Sequence, residues 1–230
     1  MGKQGITAEE AKTDAGAEAA TATGQRRATQ KAETRARILQ CALDAFAARG
    51  FAGASIRDIA AAAGVNHGLI RYHFGDKDGL WKAAVTFLFE RLHAETAIPP
   101  DDDRLSPYEQ TRARLRRYVA YCARHPEHAR IMVQESINDS ERLRWAVEHF
   151  IRPDHERLAR TLEPLIAEGV YPRVPLHSLV YILSAAAQNI FLLAAEVRHS
   201  YGVDVSDPAV VGAHADALLT LLFEHRSSHN

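Results

Sequence analysis

Ser55-Ile-Arg-Asp-Ile-Ala-Ala-Ala-Ala-Gly-Val-Asn-His-Gly-Leu-Ile-Arg-Tyr-His-Phe-Gly-Asp-Lys-Asp-Gly-Leu80 is the stretch on which the reading of this chain turns. Ile56, Ile59 and Ala60 recur at helical spacing and supply the inner face of one short helix. Ser55 opens that helix with Asp58 three positions on, close to a capping box. Ala63, Gly64 and Val65 then form a tight turn: small residues let two helices approach, glycine tolerates positive φ, and Val65 plugs the junction. Asn66 caps a second helix, which Leu69 or Ile70 together with Phe74 anchors to a core. The leading residues of this second helix stay free to enter a major groove, which is how a recognition helix docks.

Upstream, Ile38, Leu39, Ala42, Leu43 and Phe46 mark a helix that Gly50 closes. Residues 1–24 hold one large aliphatic residue, Ile6, and no aromatic. They bury too little apolar surface to offset their ordering entropy, so 1–27 is expected to be a disordered, basic-ended tail, although its Ala and Glu favour helix. Arg26, Arg27 and Lys31 are either an arm that reaches a minor groove or a solvated basic lead-in. Downstream a longer helix is expected over 77–97, ended by Pro99-Pro100 and the acidic run Asp101 to Asp103. Helices are then predicted over 107–124, 126–137, 141–168, 175–201 and 207–225, with Pro153 and Pro164 placed to kink or split the third. There is no convincing strand alternation and no fixed repeat, so the fold class is all-α. The expected organisation is a helix-turn-helix domain over 28–91 and a helical-bundle domain over 92–230.

A chain of 230 residues, 47% hydrophobic, has room for one sizeable core or two modest ones. The most apolar run, 179–197, is interrupted by Ser184, Gln188, Asn189 and Glu196, which argues against a membrane span. No apolar core follows the N-terminal basic residues, so no signal peptide is read. Cys41 and Cys122 lie far apart without metal or redox spacing and are expected to be free thiols of a cytoplasmic protein. Twelve scattered histidines make no zinc motif, and neither a metal nor a cofactor is expected. The net charge of −1 does not suggest a nucleic-acid binder, but its distribution does: residues 26–80 carry +4 and the remainder −5. No Gly-x-Ser-x-Gly, P-loop, dinucleotide-binding or His-Glu-x-x-His pattern points to an enzyme.

The segment from Thr34 to Leu80 resembles the TetR family. The residues that carry the likeness are Ser55, Ile59-Ala60, Ala63-Gly64-Val65-Asn66, Gly68, Ile70, His73-Phe74 and Lys77, with Phe46, Gly50 and Phe51 fitting the preceding helix and loop. Two departures stand out. Asn66 replaces the usual serine, and Arg71 stands where the family often has tyrosine, with a tyrosine displaced to Tyr72. The resemblance implies a transcriptional regulator, expected as a repressor, that binds a pseudo-palindromic operator in double-stranded DNA as a homodimer. Its DNA contacts would be Ser55, Asn66, His67, Gly68, Arg71, Tyr72, His73 and Lys77. Arg71 either bonds a phosphate or reads a guanine edge; His73 either meets the backbone or packs inward; Lys77 either binds an anion or is a plain surface lysine. The resemblance also implies a dimer formed by the last two helices and release by a small apolar or amphipathic ligand. Tyr118, Met132, Trp145, His149, Phe150, Tyr181, Gln188 and Phe191 are the candidate ligand-lining residues, with Gln134, His155 and Asn189 as further orienting groups. The alternatives are a DNA-binding regulator, activator or partner-controlled, without a small-molecule effector, and, less favoured, an enzyme whose site is assembled from distant helices.

Overall fold

The computed structural model describes residues 8–99, 104–169 and 173–223, and among them every regular element is a helix. The first, α1, spans Ala8–Gly53, with Gly50 at φ 67° and ψ 174° breaking the helical path, as its capping role requires. Within the stretch 1–27 that was expected to be a disordered tail, residues 8–27 are helical. Helix satisfies the backbone of an Ala- and Glu-rich chain without tertiary burial, the propensity already legible in its composition. Residues 1–7 lie outside the described residues.

Helices α2 (Ile56–Ala62), α3 (His67–Phe74) and α4 (Lys77–Thr96) follow in quick succession, each opened by a side-chain cap, from Ser55, Asn66 and Asp76. Ser106 and Glu109 form a full capping box at the start of α5 (Pro107–Arg124). His125 ends α5 and immediately precedes α6 (Pro126–Ile137), whose first residue is a proline with no N–H to leave unpaired. After α7 (Glu141–Ala146) the helix widens into a π turn over Val147–Ile151, where the Arg152 N–H donates to the Val147 carbonyl five residues back. Pro153, which cannot donate, comes next, in the first turn of α8 (Arg152–Ala167), whereas α8 runs through Pro164 without a break. The single helix expected over 175–201 is two, α9 (Leu176–Leu192) and α10 (Ala194–Tyr201), bent by 68° at Leu193. The last, α11, spans Pro208–Phe223, and the expected end at His225 lies outside the described residues. Among the described residues no single helix is long and apolar enough to cross a membrane.

Three apolar clusters hold these helices. The largest joins α1 to α4 around Ile38, Leu43, Phe46, Ile70, Trp81 and Leu88, and it takes in Ile131 of α6 and Ala146 of α7. A second lies between α5, α9 and α11 (Val119, Tyr121, Ala187, Phe191, Leu218), and a third between α8, α9 and α11 (Leu162, Leu165, Leu179, Leu219). The boundary expected at residue 91 falls inside α4, which passes unbroken from the first cluster to the contact of Leu92 with the second. Polar struts brace this passage. Arg91 donates to Gln40 of α1 (2.7 Å) and to Glu127 of α6 (2.6 Å). Glu95 accepts from Arg124 (2.6 Å) and pairs with His125 (2.9 Å). Burial alone would raise the Glu95 carboxyl, but these two partners outweigh it and hold the group below its ordinary range.

Candidate nucleic-acid interface

The turn between α2 and α3 follows from its residues. The Gly64 N–H donates to the Ala61 carbonyl (3.1 Å) and the Val65 N–H to the Ala60 carbonyl (2.9 Å), the paired bonds of a Schellman motif. Gly64 sits at φ 64°, the conformation that motif demands and that a side chain resists. The orphan carbonyl of Ala63 accepts from Arg37 Nε of α1 (2.9 Å), so an α1 arginine fixes where the turn lies. Asn66 Oδ1 then accepts from the Gly68 N–H at 2.6 Å, and a Cβ on Gly68 would stand 2.8 Å from that oxygen. Gly68 therefore permits the tight cap as well as close approach by a ligand.

Ile70 is fully buried, and Leu69, His73 and Phe74 are half-buried, so these residues seat α3 on the core. Asn66, His67, Gly68, Arg71 and Tyr72 remain on one exposed face. Tyr72 is 80% exposed. Its ring lies edge-on to His73 at 5.1 Å. Arg71 forms no ion pair among the described residues. An exposed guanidinium, imidazole and phenol in successive turns of a short capped helix offer hydrogen-bond donors to base edges and phosphates.

The other expected contacts are already engaged. Ser55 Oγ accepts from the Asp58 N–H (3.4 Å) as the cap of α2. Lys77 Nζ donates to the Ala52 carbonyl (3.1 Å) and lies 4.8 Å over the Phe51 ring, pinning the end of α1 to the start of α4. His73 lies between Tyr72 and Phe74, half-buried.

Two residues that sequence reasoning passed over matter as much. Arg57 is exposed on α2 beside α3 and forms no ion pair among the described residues. A Cβ on Gly79 would stand 2.1 Å from the Phe74 carbonyl oxygen, so only glycine lets α4 start this close to the end of α3. The signal for Gly79 was a glycine inside a helical pattern, which costs about 1 kcal/mol against alanine and so asks for a packing reason.

The residues expected to line a ligand cavity are not brought together. Met132, Trp145 and Phe150 pack on the α1–α4 core, with Trp145 edge-on to Trp81 at 6.1 Å and Phe150 stacked on Phe89 at 4.7 Å. His149 is exposed and stacks on Trp145. Tyr118 and Phe191 belong to the α5–α9–α11 cluster. Tyr181 is 63% exposed on α9, edge-on to His155 at 5.7 Å, while Gln188 is half-buried and Asn189 exposed. Gln134 donates to the Ala47 carbonyl (3.0 Å) and serves packing. The cause is long-range: α6 and α7 dock against α1 and α4, a pairing that helical periodicity does not encode. A crevice of about 450 Å³ opens elsewhere, between Gln40, Asp44 and Ala47 of α1 and the α5–α6 corner at Arg124, His125 and Arg130. Both cysteines are free thiols. Burial pushes Cys122 up to about 12 and raises Cys41 as well, so neither is a ready nucleophile.

The family model for bacterial regulatory proteins of the tetR family matches residues 38–84, from the first core residue of α1 into α4. The HTH-type transcriptional repressor Rv3405c of Mycobacterium tuberculosis is 52% identical over 71 residues, covering 29% of this chain and 38% of that protein. The chain thus spans well under half the length of the mycobacterial relatives it matches at that identity. The HTH-type transcriptional repressor NicS of Pseudomonas putida is 31% identical over 180 residues, 76% of this chain and 74% of NicS. Among solved structures, a TetR-like transcriptional regulator from Rhodococcus sp. RHA1 shares the fold with a TM-score of 0.57 at 22% identity, covering 82% of this chain and 92% of that one. With three-quarters of NicS matched and the helix-turn-helix falling inside the segment that defines the family, the chain belongs to the TetR family of bacterial regulatory proteins.

Proposed function

We propose that this chain is a sequence-specific DNA-binding transcriptional regulator, acting as a homodimeric repressor on a pseudo-palindromic operator. The observation that carries the reading is the single exposed face of α3, with His67, Gly68, Arg71 and Tyr72 outward and Ile70 buried behind them. Arg71, without an ion pair among the described residues, is the residue assigned to bases or phosphates, and Asn66 presents the helix N-terminus. Ser55, His73 and Lys77 act by holding the helix in place. The DNA-binding unit is assigned to residues 28–91 and the regulatory and dimerising unit to 92–230, with α4 running through the join and α6 and α7 packed on the first unit's core.

Dimerisation is assigned to α9 and α11. Ile182 (59% exposed) and Leu221 (64% exposed) stand out from these helices, and the exposed side of α11 carries Ala209, Gly212, Ala213 and Ala217 beside Thr220 and Asp216, which pairs with Arg116. Small residues allow two helices to approach closely, and the apolar face is otherwise left to water. Two copies paired there would present two α3 helices to successive major grooves. Repression is in keeping with the repressor names of two relatives, and release by a small ligand would act through α4, one unbroken helix that touches both the α3 platform and the body.

The test is selection of duplexes from a random pool, followed by affinity against salt. A palindromic site, a steep fall of affinity with salt and relaxation of one base position by Arg71→Ala are the expected results. Failure to enrich any site, with weak binding at every salt concentration, would sink the reading.

A further inference from the structure

We propose that the N-terminal extension of α1 is a second DNA-contacting element, a rigid basic rod lying along the phosphates that flank the half-site held by α3. The proposal rests on the reading of α3 as the recognition helix. The buried part of α1 begins at Ile38, and residues 24–33 are all exposed although helical. Along this stretch Arg27, Lys31 and Arg35 recur at four-residue intervals, which places them in one row on the helix surface. Arg35 fixes the side that row faces: its guanidinium lies 5.8 Å over the ring of Phe74, the last residue of α3. The row therefore runs on the α3 side and carries past the helix-turn-helix into open solvent. Arg27 and Lys31 form no ion pair among the described residues, and Glu33 is the single acid between Gly24 and Arg37. The next arginine along, Arg37, is occupied by the Ala63 carbonyl.

A row of unneutralised cations on the DNA-facing side fits a polyanion. The helical state decides how it binds. A helix with its side chains is about 10–12 Å across, whereas the minor groove is about 6 Å wide. The extension cannot thread that groove as a flexible arm does, so it tracks phosphates and reads no bases. From Arg35 to Arg27 the rod covers about 12 Å at 1.5 Å per residue, or about three to four base-pair steps of duplex.

The experiment uses the full chain and a selected operator duplex, either trimmed to the half-sites or extended by about six base pairs on each side with two unrelated flank sequences, a length chosen to exceed the reach of the rod. Wild type is compared with R27A/K31A by fluorescence anisotropy across a salt series. Circular dichroism confirms the fold of the variant, and Arg27→Lys serves as the charge-conserving control. Extension should tighten wild-type binding about tenfold whichever flank is used, while R27A/K31A should lose that gain and about 2 units of salt slope per protomer. Its binding to the trimmed operator should stay unchanged, and Arg27→Lys should behave as wild type. Equal binding of trimmed and extended duplexes by wild type, or a variant that keeps the gain, would overturn the proposal; dependence on flank sequence would do so too, since it would show base reading. If no duplex is selected at all, the reading of α3 fails instead, and salt-dependent binding of long random duplex by wild type against R27A/K31A still decides the role of the extension.

Discussion

At the helix-turn-helix end, α1 to α4 close around one cluster in which Ile38, Leu39, Leu43, Ile70, Leu80, Trp81 and Leu88 are all fully buried. The far end divides its apolar residues between two smaller clusters and leaves Tyr181, Ile182 and Leu221 largely exposed. The difference teaches which part of the molecule must hold its shape alone. The α3 platform is braced within one protomer, down to the Arg142 guanidinium 3.6 Å over the Phe51 ring, because donors aimed at a duplex must be positioned before they meet it. The body is less completely buried, which agrees with the proposal that a second copy covers α9 and α11.

The strongest way to break this comparison is at Trp81. Trp81→Ala should cost about 3–5 kcal/mol of unfolding free energy, and duplex binding should fail with it, because Trp81 joins α4 to the docked Trp145. Leu219→Ala, in the smaller α8–α9–α11 cluster, should cost about 2–3 kcal/mol and leave the affinity of the folded protein for its duplex unchanged. Trp81→Phe should cost less than about 1.5 kcal/mol, since it keeps most of the apolar volume and removes a buried indole N–H that lacks a partner among the described residues. Urea titrations beside duplex binding would check all three; loss of binding in Leu219→Ala at full folding would show that the two regions are not independent.

Glycine gives a second contrast. Gly79→Ala should destabilise by about 1–3 kcal/mol and weaken duplex binding more than about tenfold, because the new methyl meets the Phe74 carbonyl and moves α3 against α4. Gly212→Ala in α11 meets nothing within 4 Å of its own protomer and should stabilise a lone protomer by about 0.5–1 kcal/mol, whereas in the proposed dimer the new methyl should press on the partner helix and weaken the pairing. Thermal melts of both variants measure this. Destabilisation by Gly212→Ala would mean that the partner helix already presses on that position.

The join between the two regions is open to test through pH. His128 packs edge-on against Phe89 and Tyr121, with its Nδ1 2.9 Å from the Tyr121 hydroxyl, which donates to the Leu88 carbonyl. Burial, then the charge of Arg91, pushes the ring down to about 3. An unfolded chain takes up this proton near pH 6.5. Below that pH the unfolded state binds more protons than the folded one, so stability is full above 6.5 and falls as the pH drops, by up to about 1.4 kcal/mol per unit. Denaturation at pH 7 and pH 5.5 should differ by about 1 kcal/mol, and His128→Gln should remove that difference. A variant as pH-sensitive as wild type would place the titration elsewhere.

What was legible in the sequence was local. Gly50, the Ala63-Gly64-Val65 turn and the caps at Ser55 and Asn66 act within a few residues of themselves, so their chemistry is written in order along the chain. The candidate ligand-lining residues were legible only in part: periodicity shows that Trp145, Phe150, Tyr118 and Phe191 are inward but not toward which core. Lys77 and Arg37 look alike as basic residues of the motif, yet the structure occupies both with backbone carbonyls 25 and 26 residues away in sequence. In the tail two signals opposed each other, low hydrophobic content pointing to disorder and Ala and Glu favouring helix, and composition alone does not weigh one against the other.

Capping tests the comparison at its finest scale. Asn66 and Ser106 do the same chemistry at the starts of α3 and α5, each accepting from a backbone N–H of the first turn. Asn66→Ala should cost about 1 kcal/mol, and Ser106→Ala a like amount. Only Asn66→Ala should reach the duplex, since fraying the first turn of α3 displaces His67 and Gly68 from the groove, whereas α5 lies behind α4 in the body. Asn66→Ser, the residue usual at this place in the family, should restore most of the stability, because its hydroxyl can still accept. Whether it also restores duplex affinity separates two roles for the side chain. Recovery of stability and affinity together makes Asn66 a cap alone; recovery of stability without affinity means its amide also touches the DNA, where a serine is too short to follow.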